Sequence, residues 1–226
     1  MDSDATSSQQ RAYEYLKDGI ASLWFRPRQH LKATEIARSL RLSRTPVKEA
    51  LGRLEQEGLV KRDLGSGYIV ESITARQLFD LYRVRELLEV EAAREALPKL
   101  DAAVLDRLEA LIAQSEPLLR EASYDEFLRA SRRFHNEIAQ VAGNTVLLGI
   151  LGGLNDRIWS LGSIVVKKFP DRAVEILADN RALLAALRAR DPVRVERAVR
   201  RHIKGATQAA RRFMETQLHE IYFDAA

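Results

Sequence analysis

The chain has 226 residues, 46% of them hydrophobic, which suits one large globular unit or two small ones with enough apolar surface to bury a core. The absence of cysteine excludes disulfides, thiol catalysis and thiolate metal sites, and no apolar run approaches the roughly 18 to 20 residues that a membrane-spanning helix needs. The net charge of +4 is unevenly placed: residues 11–70 hold 12 Lys/Arg against 7 Asp/Glu, while residues 71–226 hold 24 against 23, so an anionic partner is expected for the first part.

Residues 1–10, MDSDATSSQQ, are polar and lack the apolar segment of a secretory signal. They read as a disordered tail, and cytoplasmic residence is the simplest expectation. Residues 11–72 form a separate small unit. Ile36, Ala37 and Leu40 give a short helix an apolar face, and Ser43 is placed to cap a second helix over about 44–57. Val47, Ala50, Leu51 and Leu54 make its inward stripe; Arg44, Thr45 and Lys48 lie on the opposite face near its start. The stretch GLVKRDLGSGYIVES follows, with two β-prone runs around a Gly-containing turn, which predicts a hairpin. Helices, then a hairpin, with excess positive charge, is the layout of a winged helix-turn-helix. A solvated amphipathic helix would explain the charges but not that order.

In such a unit the start of the second helix reaches base edges in the major groove. Arg44 suits guanine, while Ser43, Thr45 and Lys48 suit bases or phosphates. Lys61 and Arg62 can add phosphate contacts, and Gly65 at the hairpin tip lets the backbone approach a groove closely.

Residues 73–226 read as an all-α bundle of about six helices, rich in Ala, Leu, Arg and Glu, with breaks at 97–101, 120–123, 142–144, 169–171 and 190–192. Asp101, Ser123, Asn144 and Asp171 are candidate N-caps, and Pro192 fits the first turn of the last helix. Five polar residues interrupt the apolar stripes. Arg85 joins Leu78, Leu81, Leu88 and Ala92; Ser131 and His135 face inward with Phe127, Phe134 and Ile138; Asn180 shares a face with Val174, Leu177, Leu184 and Leu187; His202 interrupts Val195, Ala198, Val199 and Ile203. One such residue is ordinarily a satisfied core group. Five on four helices predict a polar cavity, with Arg85 and the imidazoles favouring a carboxylate-bearing ligand. No paired carboxylate, activated nucleophile or complete metal triad appears at helical spacing, so a metal-dependent enzyme using His135 and His202 is the weaker alternative. An effector-independent DNA-binding protein is the other, and the inward polar set argues against it.

LSRTPVKEALGRLEQEGLVKRDLGSGYIV (42–70) resembles the DNA-binding unit of the GntR family of bacterial transcription regulators. LYRVRELLEVEAA (81–93), RRFHNEIAQVAGN (132–144) and the final His-bearing helix resemble the FCD effector domain of its FadR-like branch. The resemblance covers nearly the whole chain. It implies a homodimeric regulator, commonly a repressor relieved by a metabolite, with Ser43, Arg44, Thr45, Lys48 and Gly65 at the operator. Lys48 stands where arginine is usual, and Arg41 where the turn usually has glycine, so Arg41 is a further candidate phosphate contact. Many FCD domains hold a divalent metal through an Asp or Asn four residues before the FH histidine, that histidine, and two later histidines. This chain matches at His135 and His202 but has Ser131 and Asn180 at the other two places. Two imidazoles, a hydroxyl and an amide suit zinc or nickel poorly, so a metal-free polar pocket is expected ahead of a metal centre.

Overall fold

A computed structural model describes residues 2–22, 24–63, 67–72 and 74–222. The chain divides into two compact units, Met1–Thr74 and Ala75–Ala226, against a boundary read at 72/73.

In the N-terminal unit the order is α1 (Asp2–Ala21), β1 (His30–Leu31), α2 (Ala33–Leu40), α3 (Arg44–Gln56), β2 (Val60–Asp63) and β3 (Gly67–Val70). Ala12, Tyr13, Leu16 and Ile20 line the buried stripe of α1, which packs against Val47, Ala50, Leu51 and Leu54 of α3. In place of the disordered tail expected over residues 1–10, α1 begins at Asp2. The packed stripe nucleates the helix, and polar links to Gln10 extend its hold: Gln10 donates to Glu14 at 2.8 Å and accepts from Arg53 at 3.2 Å. The wing is an antiparallel sheet of strand order β1-β3-β2, with Val60 opposite Val70 and Arg62 opposite Tyr68. Strand β1, two residues long, gives no sequence signal of its own.

The turn between α2 and α3 passes through Arg41, whose φ of 55° and ψ of 43° are left-handed. An L side chain there crowds its own carbonyl, at about 1 kcal/mol relative to glycine. Arg41→Gly therefore raises the stability of this unit by about that much, as read from a denaturant midpoint; a lower midpoint would contradict the strain.

In the helical unit the described residues form α4 (Ala75–Ala96), a 3-10 turn (Leu97–Lys99), α5 (Ala102–Arg120), α6 (Tyr124–Ala142), α7 (Thr145–Lys168), α8 (Asp171–Arg188) and α9 (Pro192–Tyr222). Asp101 and Asn144 cap as expected, accepting from the backbone N–H of Val104 and Leu147. Ser123 occupies an N-cap without a side-chain bond, and Asp171 is the first helical residue rather than the cap. No helix among the described residues is long and apolar enough to cross a membrane. The stripe on α8 differs from the expected one. Val174 is 58% exposed, while Ala173, Ile176, Leu177, Asn180, Leu183, Leu184 and Leu187 are buried. Helix α8 packs against both α5 and α9, so its buried face is broader than one stripe and is centred away from Val174.

Candidate nucleic-acid interface and ligand cavity

The N-terminal unit presents a groove of about 730 Å3 between the start of α2, the outer face of α3 and the wing. Arg44, Lys48 and Arg62 line it, joined by Lys32, Thr34, Glu49 and Tyr68, which the sequence reading did not single out. Val47, Ala50, Leu51 and Leu54 hold α3 by its inner face, which fixes Arg44, Thr45 and Lys48 outward. Among the described residues these three form no side-chain hydrogen bond or ion pair, so their donors are open to an incoming anion. Ser43 sits at the N-cap with extended backbone and no side-chain cap bond, which leaves its hydroxyl open beside the positive end of the helix.

The wing residues differ from one another. Arg62 shares a strand face with buried Val60; its Nε donates to Glu55 at 3.1 Å and its guanidinium lies 5.9 Å from the Tyr68 ring centre. Lys61 points to the other face, where its Nζ lies 3.4 Å from Glu71 Oε1, and it does not line the groove. Gly65 lies outside the described residues.

The helical unit holds a partly open cavity of about 110 Å3 walled by α4, α6, α7, α8 and α9. Arg85, Ser131, His135 and His202 line it. Asn180 stands behind that wall: its Nδ2 donates to Ser131 Oγ at 3.0 Å, and its Oδ1 accepts from His135 Nε2 at 3.1 Å. Ser131 thus keeps its own hydroxyl proton to donate. The His135 and His202 rings stack with centres 4.5 Å apart.

Behind each imidazole lies a buried carboxylate. Glu89, one turn after Arg85, accepts from Arg85 Nε at 2.6 Å, and its other oxygen lies 3.2 Å from His135 Nδ1. Burial alone would raise the Glu89 carboxyl, but Arg85 and His135 together hold it well below the usual carboxylate range. Asp179 lies 3.6 Å from His202 Nδ1, accepts from Arg201 at 2.8 Å and lies 3.5 Å from Arg172. Burial works against its charge too, and His202 and Arg172 outweigh it. Arg172, also on the cavity wall, donates from Nη2 to the His202 carbonyl at 2.9 Å. Gly205 of α9 makes this possible, because a Cβ there would meet the Arg172 guanidinium at 2.4 Å.

Burial pushes His202 down to about 4, helped by charge on His135 and Arg85 and opposed by Asp179 and Glu89. The folded value lies below the unfolded one, so the unfolded chain binds the extra proton between about pH 6.5 and 4. The helical unit therefore loses stability as pH falls through that window, by roughly 3 kcal/mol over its full width. Glu89 and Asp179, whose folded values are lowered, add their losses only below about pH 5. In chemical denaturation at stepped pH, His202→Gln flattens the slope above pH 5. An unchanged slope would assign it to another group.

The donor set at the place of an FCD metal is weak. His135 Nε2 is already engaged by Asn180, and no cluster of three His, Cys, Asp or Glu able to hold a metal occurs among the described residues. These residues do not fit a zinc-type centre.

Comparison with known proteins matches residues 80–205 to the FCD domain and residues 8–70 to bacterial regulatory proteins of the gntR family. The chain is 31% identical over 147 residues to the HTH-type transcriptional regulator YdhC of Bacillus subtilis, covering 65% of this chain and 66% of YdhC, just under two thirds of that relative. It is 24% identical over 209 residues to the transcriptional repressor RspR of Escherichia coli K12, covering 91% of this chain and 90% of RspR. The structure of E. coli McbR/YncC superposes with a TM-score of 0.80 at 22% identity, over 91% of this chain and 97% of that one. That likeness shows a shared fold.

Proposed function

The chain belongs to the GntR family of bacterial regulatory proteins, in the branch that carries an FCD domain, and we propose that it is a repressor that binds operator DNA as a homodimer and releases it when a small carboxylate enters the helical unit. The family and the relatives matched are transcription regulators, not enzymes. The observation that carries the reading is the groove along α3, where Arg44 and Lys48 project with no protein partner among the described residues beside a wing that carries Arg62. The repressor direction is supported by the name of the relative RspR, which spans almost the whole chain.

Within this reading Arg44 and Lys48 meet base edges and nearby phosphates, and Ser43, Thr45 and Arg62 meet phosphates. Arg41 joins the phosphate contacts, and Lys61 takes part only by leaving Glu71. A two-fold dimer sets two recognition helices in successive major grooves, so the operator is a palindrome with half-sites roughly 34 Å apart. In the helical unit, Arg85, Ser131, His135 and His202 meet the ligand and Asn180 orients Ser131 and His135. We read the cavity as working without a metal. The protein acts in the cytoplasm, where the chromosome lies.

Selection of binding sites from random DNA, followed by footprinting, tests the DNA half of the proposal. The expected result is a palindrome protected over two half-sites one helical turn apart. Protection of a single asymmetric site would contradict the dimer, and failure to enrich any sequence would contradict specific recognition. Elemental analysis of the purified protein tests the metal: zinc or nickel at one equivalent per chain would overturn the metal-free reading.

A further inference from the structure

The cavity has two kinds of wall. Helices α4, α6 and α9 supply Arg85, Ser131, His135 and His202, together with Tyr82, whose phenol burial pushes up so that it stays protonated and can donate. Helix α7 supplies Ile158, Trp159, Val165 and Val166, with Asn155 its sole polar contribution among the described residues. The volume, about 110 Å3, is of the order that takes a single benzene ring in an apolar helical cavity, about 150 Å3.

The charges on the wall decide more than the volume does. Three guanidiniums line the cavity, and each already faces a carboxylate. Arg132 donates to Asp156 at 2.6 Å. Arg172 donates to Glu175 at 2.9 Å and spends its other Nη on the His202 carbonyl. Arg85 gives its Nε to Glu89, and among the described residues its two Nη groups carry no hydrogen bond. One carboxylate can therefore bind across the Arg85 fork without breaking an ion pair. A second carboxylate would find no other open fork, since Arg132 has committed one Nη to Asp156 and Arg172 both of its own, and His202 is uncharged at neutral pH because burial holds its pKa down.

We propose that the ligand is a monocarboxylate with a compact apolar body, one aromatic ring or a short branched chain, and that di- and tricarboxylates are rejected. The proposal rests on the ligand-sensing reading above and names the ligand class for the same cavity. The carboxylate lies on the Arg85 Nη pair with the Ser131 hydroxyl donating beside it, and the body lies against the α7 wall.

The test is thermal shift followed by calorimetric titration on the intact chain. The probes are phenylacetate, 3-phenylpropionate and 4-methylpentanoate, against acetate, phenylacetamide, succinate and citrate. At least one of the three monocarboxylates should raise the melting temperature, while acetate (no body), phenylacetamide (no charge) and the polycarboxylates should not. Arg85→Lys keeps a charge beside Glu89 and so keeps the fold, but it removes the fork. It should weaken the bound acid roughly ten- to a hundredfold, the worth of a charged hydrogen bond. Succinate or citrate binding more tightly than every monocarboxylate, and weakened by Arg85→Lys, would overturn the ligand class while leaving a sensing cavity in place. Affinity indifferent to Arg85→Lys would overturn both readings. No stabilisation by any of the three monocarboxylates would overturn the proposal.

Discussion

Arg44→Ala removes specific operator binding while leaving the melting temperature of the protein unchanged. The side chain is exposed at the first residue of α3, has no protein partner among the described residues and contributes nothing to the stripe that holds the helix. Its loss is therefore a loss of contact with DNA alone. A bidentate arginine–guanine contact discriminates by roughly 1–3 kcal/mol, and a two-fold dimer makes it twice, so the operator affinity falls by about 30-fold to 20,000-fold. Fluorescence anisotropy with the selected operator and a scrambled duplex separates the effects: the operator curve moves toward the scrambled one, which itself shifts little. Unchanged discrimination between the two duplexes would remove Arg44 from base recognition.

The largest stability effect is expected at Glu89. Its carboxylate is buried and shared between Arg85 and His135, so Glu89→Ala leaves a guanidinium at a polar wall with no counter-charge. Breaking a buried pair from one side costs about 3–5 kcal/mol, which for a chain of this length lowers the melting temperature by roughly 10 °C. Glu89→Gln keeps an acceptor for Arg85 Nε and should cost visibly less. Denaturant unfolding of both variants checks the ranking. A loss below about 1 kcal/mol for the alanine variant would mean that water replaces the carboxylate, and that the network behind the cavity holds little of the fold.

Much of this molecule was legible because its signals are local. The order of cap, helix, turn and hairpin over residues 42–70 lies within a single unbroken stretch, and the apolar spacing of α3 dictates which side chains are left outside. The inward polar residues of α4, α6 and α9 were legible for the same reason, as breaks in regular stripes.

What escaped depends on partners that are distant in sequence. Glu89, Arg172 and Asp179 carry charges that a single sequence presents as ordinary solvent-facing groups, yet each is buried through contacts with another helix or a neighbouring charge. A signal for Glu89 was available, since it follows Arg85 by four residues and so shares its inward face. For Arg172 the sign is fainter. It lies in the glycine at 205, a residue with no helical reason to be there until a guanidinium occupies the space. Asn180 was read as a wall of the cavity and stands one layer behind it, because periodicity identifies an inward side chain but not which inward side chain is nearest the void. Val174 was misplaced because α8 is covered on two sides.

Ligand bound in the helical unit is expected to weaken the grip of the N-terminal unit on DNA. The direct measurement is the operator dissociation constant, by anisotropy, with and without a saturating acid that raises the melting temperature, in the wild type and in Arg85→Lys. The expected result is a rise of about five- to 150-fold in the wild type, the span of ordinary allosteric couplings, and little or none in Arg85→Lys at the same ligand concentration. A ligand that stabilises the protein through the cavity and leaves the operator constant unchanged would contradict it.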